Sequence, residues 1–186
     1  MGKLKFDRQD VEAIRLSISE DGDVWKNPKL IDLKNKIKIY YKDKCVKCCY
    51  CQRSFRGEFN LVIDIEHILP KSVFKKYMFT PKNLSIACKR CNMKIKKASM
   101  AFIELNFHKR LIFNKKYYKF IHPNLDVYKK HIMRINVEVG DLAFTKYNVI
   151  KNSEKGNYTY NFFKLYEFEI QNFDLAQGLP VIEKYI

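Results

Sequence analysis

The chain of 186 residues has no apolar run approaching the ~18 residues that a membrane-spanning helix needs. Its opening, Met1-Gly2-Lys3-Leu4-Lys5, leads into a polar, charged stretch and not into the apolar centre of a secretory signal. No membrane partner is therefore expected, and the expected compartment is the reducing cytoplasm. Repeats, low-complexity tracts and flexible linkers are also missing. Two folded domains would be a squeeze at this length, so one compact domain with a modest extension is expected. Arginine is scarce, seven residues against 29 lysines. With many Ile, Asn, Tyr and Phe beside it, that bias is what a genome short of G and C produces unselected, which weakens the net charge of +16 as an argument for a polyanionic partner.

Where the charge sits is more telling than its total. Residues 141–186 hold five lysines against six acids, whereas residues 88–119 hold ten bases against the single acid Glu104. A polyanion should meet the middle of the chain.

Residues 1–44 read as an N-terminal helical segment. Val11, Ile14 and Ile18 follow Asp7 and Asp10 as caps, and Leu30, Leu33 and Ile37 follow Asn27-Pro28. Residues 45–100 form the informative core: clustered cysteines, a β-rich run Asn60–Ile65, then a second cysteine pair before a lysine-rich helix running to about Phe107. Residues 101–186 read as a C-terminal α+β extension packed on the core, a candidate partner-docking region. It holds a helix over Tyr117–Lys130 broken at Pro123, a hairpin of Ile132–Val139 and Leu142–Ile150 around Gly140-Asp141, and a strand over Tyr158–Phe168.

Six cysteines in a reducing compartment suggest metal ligands more than disulfides. Cys48-x-x-Cys51 and Cys88-x-x-Cys91 each present two thiolates to one ion, and together they complete a closed tetrahedral site of the structural Zn²⁺ kind. Such a site stabilises a segment too small to bury a core of its own. Cys45-x-x-Cys48 has the same spacing, so spacing alone leaves the first pair's register open; Cys45 and Cys49 are left without a role.

Between the pairs stands Ile63-Asp64-Ile65-Glu66-His67-Ile68-Leu69-Pro70, and Asn92 follows the second pair. A zinc site pinning strand to helix lets Glu66, His67 and Asn92 converge. A carboxylate and an amide oxygen hold a hard divalent ion, and a neutral imidazole removes a proton from water. Asp64, two residues from Glu66, suits assistance to that ion and a surface role equally.

Cys48-Cys49-Tyr50-Cys51, Ile65-Glu66-His67-Ile68-Leu69-Pro70-Lys71-Ser72 and Asn83-Leu84-Ser85-Ile86-Ala87-Cys88-Lys89-Arg90-Cys91-Asn92 resemble, in order and spacing, the four-cysteine HNH endonuclease motif. The resemblance covers about residues 45–97. It implies an α+β fold with a ββα-metal core and a structural zinc knuckle of Cys48, Cys51, Cys88 and Cys91. It implies His67 as general base, Glu66 and Asn92 as ligands of a catalytic Mg²⁺ or Mn²⁺, and Asn83 as a structural and positioning residue. The chain departs from the commoner pattern in having Glu66 for Asp and Asn92 for the last His. The Glu-His form followed by Pro is similar to HNH subunits of bacterial anti-phage systems, the Septu type and retron-associated relatives, which are encoded beside an ATPase partner.

The expected function is therefore metal-dependent hydrolysis of phosphodiester bonds in DNA, with RNA not excluded, within an anti-phage defence system. Lys89, Arg90, Lys94, Lys96 and Lys97 suit contact with a nucleic-acid backbone as well as they suit a solvated helix face. Two other readings share these features. One is a zinc-knuckle module that binds nucleic acid or protein without cutting; the other is a thiol redox protein, which predicts reactive thiols and no bound zinc. His108, His122 and His131 lie outside the motif and read as structural residues.

Overall fold

A computed structural model describes residues 4–106, 111–140 and 142–171. The fold is mixed α and β, and the chain divides into two compact units, 1–98 and 99–186. Among the described residues no helix is long and apolar enough to cross a membrane.

The first unit starts with α1 (Arg8–Ser19), closed by a reciprocal cap in which the Asp10 amide donates to the Asp7 carboxylate and the Asp7 amide to Asp10, both at 2.9 Å. Its apolar stripe does not face inward as the spacing predicts: Val11 and Ile18 are exposed, while Asp10 and Ser17 are buried. Lys36 supplies the reason, since it pairs with both Asp7 and Asp10 and turns the capped polar face toward the next helix. That helix, α2 (Ile31–Lys44), follows Asn27-Pro28, where the Asn27 side chain accepts from the Lys29 amide at 3.0 Å. Here the stripe behaves as expected, and Leu30, Leu33, Ile37 and Tyr41 are buried.

Helix α2 packs on an antiparallel pair, β1 (Ile63–His67) and β2 (Leu84–Cys88), in register from Ile63↔Cys88 to His67↔Leu84. A π-helical segment, Arg90–Lys96, follows β2. The Lys97 amide closes it by donating to the Asn92 carbonyl at 2.8 Å, and Lys97 then turns to φ 49°. The expected long helix thus stops some ten residues early: a non-glycine residue in the left-handed region ends it, and Phe107 lies outside the described residues.

In the second unit the expected helix over Tyr117–Lys130 is absent. Two 3₁₀ turns, Lys115–Tyr117 and Tyr128–Lys130, flank an extended stretch whose Lys119 amide donates to the Phe102 carbonyl at 2.8 Å. Tyr118, Phe120, Ile121 and His122 are all buried on this extended backbone, with Phe102 against Phe120 at 4.3 Å, so no helical face is needed to bury them. The hairpin forms as expected from β3 (Ile132–Val139) and β4 (Leu142–Val149), and a short β5 (Ile170–Gln171) joins β4 to give the order β3-β4-β5.

The expected strand over Tyr158–Phe168 is instead α3 (Glu154–Phe162) and a 3₁₀ turn, Leu165–Phe168. Ser153 caps α3, its hydroxyl oxygen accepting from the Gly156 amide at 3.0 Å. Gly156 lets the helix lie against the β3 approach: a Cβ there would stand 2.6 Å from the His131 carbonyl oxygen. The alternation that suggested a strand is satisfied by one turn of helix in which Thr159 bonds the Lys155 carbonyl at 2.7 Å and accepts from the Ile121 amide at 2.9 Å.

Candidate metal centre and adjoining cleft

The sulfurs of Cys48, Cys51, Cys88 and Cys91 lie within 4.8 Å of one another and all four residues are buried. Cys45 is exposed and outside the cluster, which settles the register left open by spacing. Cys51 and Cys88 sulfurs are 3.8 Å apart. Sulfurs placed ~2.3 Å from a tetrahedral ion are separated by about 3.8 Å, so the donor set fits one four-coordinate soft-ligand metal site. Local backbone geometry builds the cluster. The Gln52 amide donates to the Cys48 carbonyl at 3.0 Å as Gln52 turns to φ 55°, and the Cys88 amide donates to the Cys48 sulfur at 3.4 Å. The sulfurs also govern each other's protonation: hydrogen bonding to Cys48 pushes the Cys51 and Cys91 thiols up.

A cleft of about 580 Å³ opens between α2, β1 and the π-helical segment. Asp64, His67 and Asn92 line it, and Lys34, Lys38, Lys71 and Lys97 also border it. Asn92 Nδ2 donates to Asp64 Oδ2 at 3.1 Å, which leaves the Asn92 amide oxygen available, and Lys89 approaches Asp64 Oδ1 at 3.5 Å.

His67 is 7% exposed, with the Trp25 ring edge-on at 4.4 Å. Its Nε2 stands 3.1 Å from the Met78 carbonyl oxygen, an acceptor only, so Nε2 carries the proton and Nδ1 keeps its lone pair. Burial, reinforced by Lys71, holds the imidazole down at about 3, so it is neutral at ordinary working pH. Asn83 is fully buried and fastens the loop after β1. Its Oδ1 accepts from the Leu69 amide at 2.7 Å, and its Nδ2 donates to the Leu69 carbonyl at 3.2 Å and the Tyr77 carbonyl at 3.0 Å.

Two expected site residues lie elsewhere. Glu66 does not join His67 and Asn92 in the cleft. It is fully buried, and its Oε1 accepts from the Tyr50 hydroxyl at 2.9 Å and pairs with Lys96 at 2.8 Å. Strand alternation gives Asp64 and Glu66 the same parity, so it does not separate them; Tyr50 and Lys96 draw Glu66 into the interior, and Asp64, near the start of β1, is the carboxylate that lines the cleft. Burial raises the Glu66 carboxyl, a push opposed by Lys96. Lys96, expected with the surface bases, is 1% exposed and therefore unavailable to a nucleic-acid backbone. Lys89, Lys94 and Lys97 are exposed and Arg90 is half-buried.

Sequence reasoning overlooked Trp25, Lys34, Lys38 and Lys71. The first is the chain's one tryptophan, Lys34 and Lys38 share a helix face at i and i+4, and Lys71 sits inside the quoted motif. Met93 is exposed beside the cleft. Of the remaining histidines, His122 Nδ1 accepts from the Asn124 amide at 3.1 Å and His131 Nδ1 meets the Ser153 hydroxyl at 2.8 Å, while His108 lies outside the described residues. Compared with protein-family models, curated proteins and solved structures, the chain matches none.

Proposed function

We propose that the first unit is a metal-dependent endonuclease of HNH type that hydrolyses phosphodiester bonds in DNA. The observation carrying this reading is the lysine-rimmed cleft in which Asp64, His67 and Asn92 meet. The four cysteines hold Zn²⁺ as a structural ion. The Asp64 carboxylate and the Asn92 amide oxygen are the oxygen donors suited to Mg²⁺ or Mn²⁺, which supplies charge stabilisation at phosphorus when bound. Glu66 fits that duty poorly, because it is fully buried outside the cleft lining, with Lys96 and Tyr50 on its Oε1. His67 takes the proton of the attacking water on Nδ1, with Met78 fixing the tautomer. Lys34, Lys38, Lys71 and Lys97 draw the phosphate backbone in, without sequence preference.

A defence role beside an ATPase subunit belongs to the same proposal and rests on the motif resemblance alone. The enclosure of His67 against Trp25 favours a second reading, a zinc-knuckle module that binds nucleic acid without cutting it.

Incubation of supercoiled plasmid with the purified protein and Mg²⁺ or Mn²⁺ decides between them. Nicking by wild type that is lost in His67→Ala and Asp64→Asn but retained in Glu66→Gln supports the nuclease. Cutting at wild-type rates by His67→Ala would sink it, and retained plasmid binding with no cutting by wild type favours the second reading.

A further inference from the structure

Among the described residues, strand β3 is an edge of the order β3-β4-β5, and its eight residues carry no proline or bulge. Its pairing with β4 ends at Val139↔Leu142, across a loop of two residues. In such a hairpin the closing pair exchanges both hydrogen bonds and the ladder then alternates. The odd-numbered residues therefore bond to β4, a pattern continued at the far end by the Ile150 amide donating to the His131 carbonyl at 2.9 Å. Arg134, Asn136 and Glu138 consequently present their N–H and C=O groups outward. The side chains divide just as cleanly. Met133, Ile135, Val137 and Val139 share one face, and Met133, Val137 and Val139 are exposed at 49%, 44% and 62%. Arg134, Asn136 and Glu138 share the other.

An open strand of this kind templates another strand, and its own sequence selects the partner. Two antiparallel copies centred on Asn136 place Arg134 of each opposite Glu138 of the other, Met133 opposite Val139 and Ile135 opposite Val137. Asn136 to Asn136 is then a hydrogen-bonded pair, as the outward N–H and C=O groups require. Centring on Arg134 or Glu138 instead opposes like charges, which is unfavourable. We propose that the second unit self-associates through β3, joining two three-stranded sheets into one six-stranded antiparallel sheet across a twofold axis at Asn136. The occupant of the edge is a second copy of this chain, chosen by two reciprocal Arg134–Glu138 pairs on one face and continuous apolar contact on the other.

Sedimentation velocity on the full, zinc-loaded chain, from low micromolar to several hundred micromolar, tests this. Wild type should show concentration-dependent dimer. Arg134→Glu should raise the dissociation constant at least ~10-fold by opposing two pairs of like charges, and Arg134→Glu with Glu138→Arg should restore it. Asn136→Pro removes the outward amide hydrogen, and with it the side-chain oxygen that accepts from Arg134 and Thr145; proline is tolerated at an edge, so association should be abolished while thermal unfolding stays cooperative, and Asn136→Ala, which loses the side chain but keeps the amide, should still associate. The proposal is overturned by a wild type that stays monomeric across the range, by an Arg134→Glu protein that dimerises as tightly as wild type, or by a charge swap that fails to restore association while the protein remains folded.

Discussion

The ammonium of Lys96 donates to the backbone carbonyl of His67 at 2.9 Å while pairing with Glu66 at 2.8 Å, so one buried cation holds both residues of the Glu-His step. The same π-helical segment is tied to β1 a second time by Asn92 and Asp64 on the cleft side. Removing one partner leaves an uncompensated buried charge. Lys96→Met should cost ~3–5 kcal/mol in urea unfolding, and adding Glu66→Gln should recover a large part of it. Equal stabilities of the single and double variants would contradict the pairing.

Metal dependence separates the cysteines. Cys88→Ser or strong chelation should release zinc and unfold the first unit, whereas Cys45→Ser should leave zinc content and melting unchanged, since Cys45 is exposed and outside the cluster. Metal analysis beside circular dichroism reads both.

The buried histidines set a pH window. His67 and His122 are each held down at about 3, mainly by burial; for His122, Asp126 opposes the shift and Lys155 adds to it. Both are neutral when folded, while the unfolded chain takes up protons below pH ~6.5. Their stability contribution is therefore complete above that pH and is lost as the pH falls toward 3, by at most ~1.4 kcal/mol per pH unit for each. Denaturant titrations between pH 7 and pH 4 should show this slope, and His122→Leu should flatten its share; an unchanged slope would refute the assignment.

Close approach at Gly156 gives a local test. An alanine Cβ would stand 2.6 Å from the His131 carbonyl oxygen and 2.8 Å from Val149 Cγ1, and the backbone carbonyl cannot retreat without shifting the approach to β3. Gly156→Ala should destabilise the second unit by ~1–3 kcal/mol and leave zinc binding intact.

Local rules made α1's cap, α2's buried stripe, the β3–β4 hairpin and the four-cysteine cluster legible in the sequence. Each depends on residues a few positions apart, or on ligand chemistry with few alternatives. What escaped depends on tertiary context. Glu66 and Asp64 have the same alternation, and only the packing of Tyr50 and Lys96 decides which of them is buried. Lys96 reads as one more member of a basic run until the π-helical segment turns it inward. The Tyr158–Phe168 stretch alternates like a strand, yet the Ser153 cap and the space at Gly156 favour helix. The lysines of α2 entered the candidate site because α2 packs against β1, a contact that no short motif announces.

The cysteine cluster also imposes an order on synthesis. Cys51 and Cys88, whose sulfurs are 3.8 Å apart, are 37 positions apart in the chain, and the whole β1–β2 pair lies in the loop they close. On the ribosome, residues 48–51 emerge early, but the four-sulfur cluster is complete only once Cys91 has left the exit tunnel. Closure of the loop that carries both strands therefore waits on the second cysteine pair, and only from that point can the four sulfurs share one metal ion.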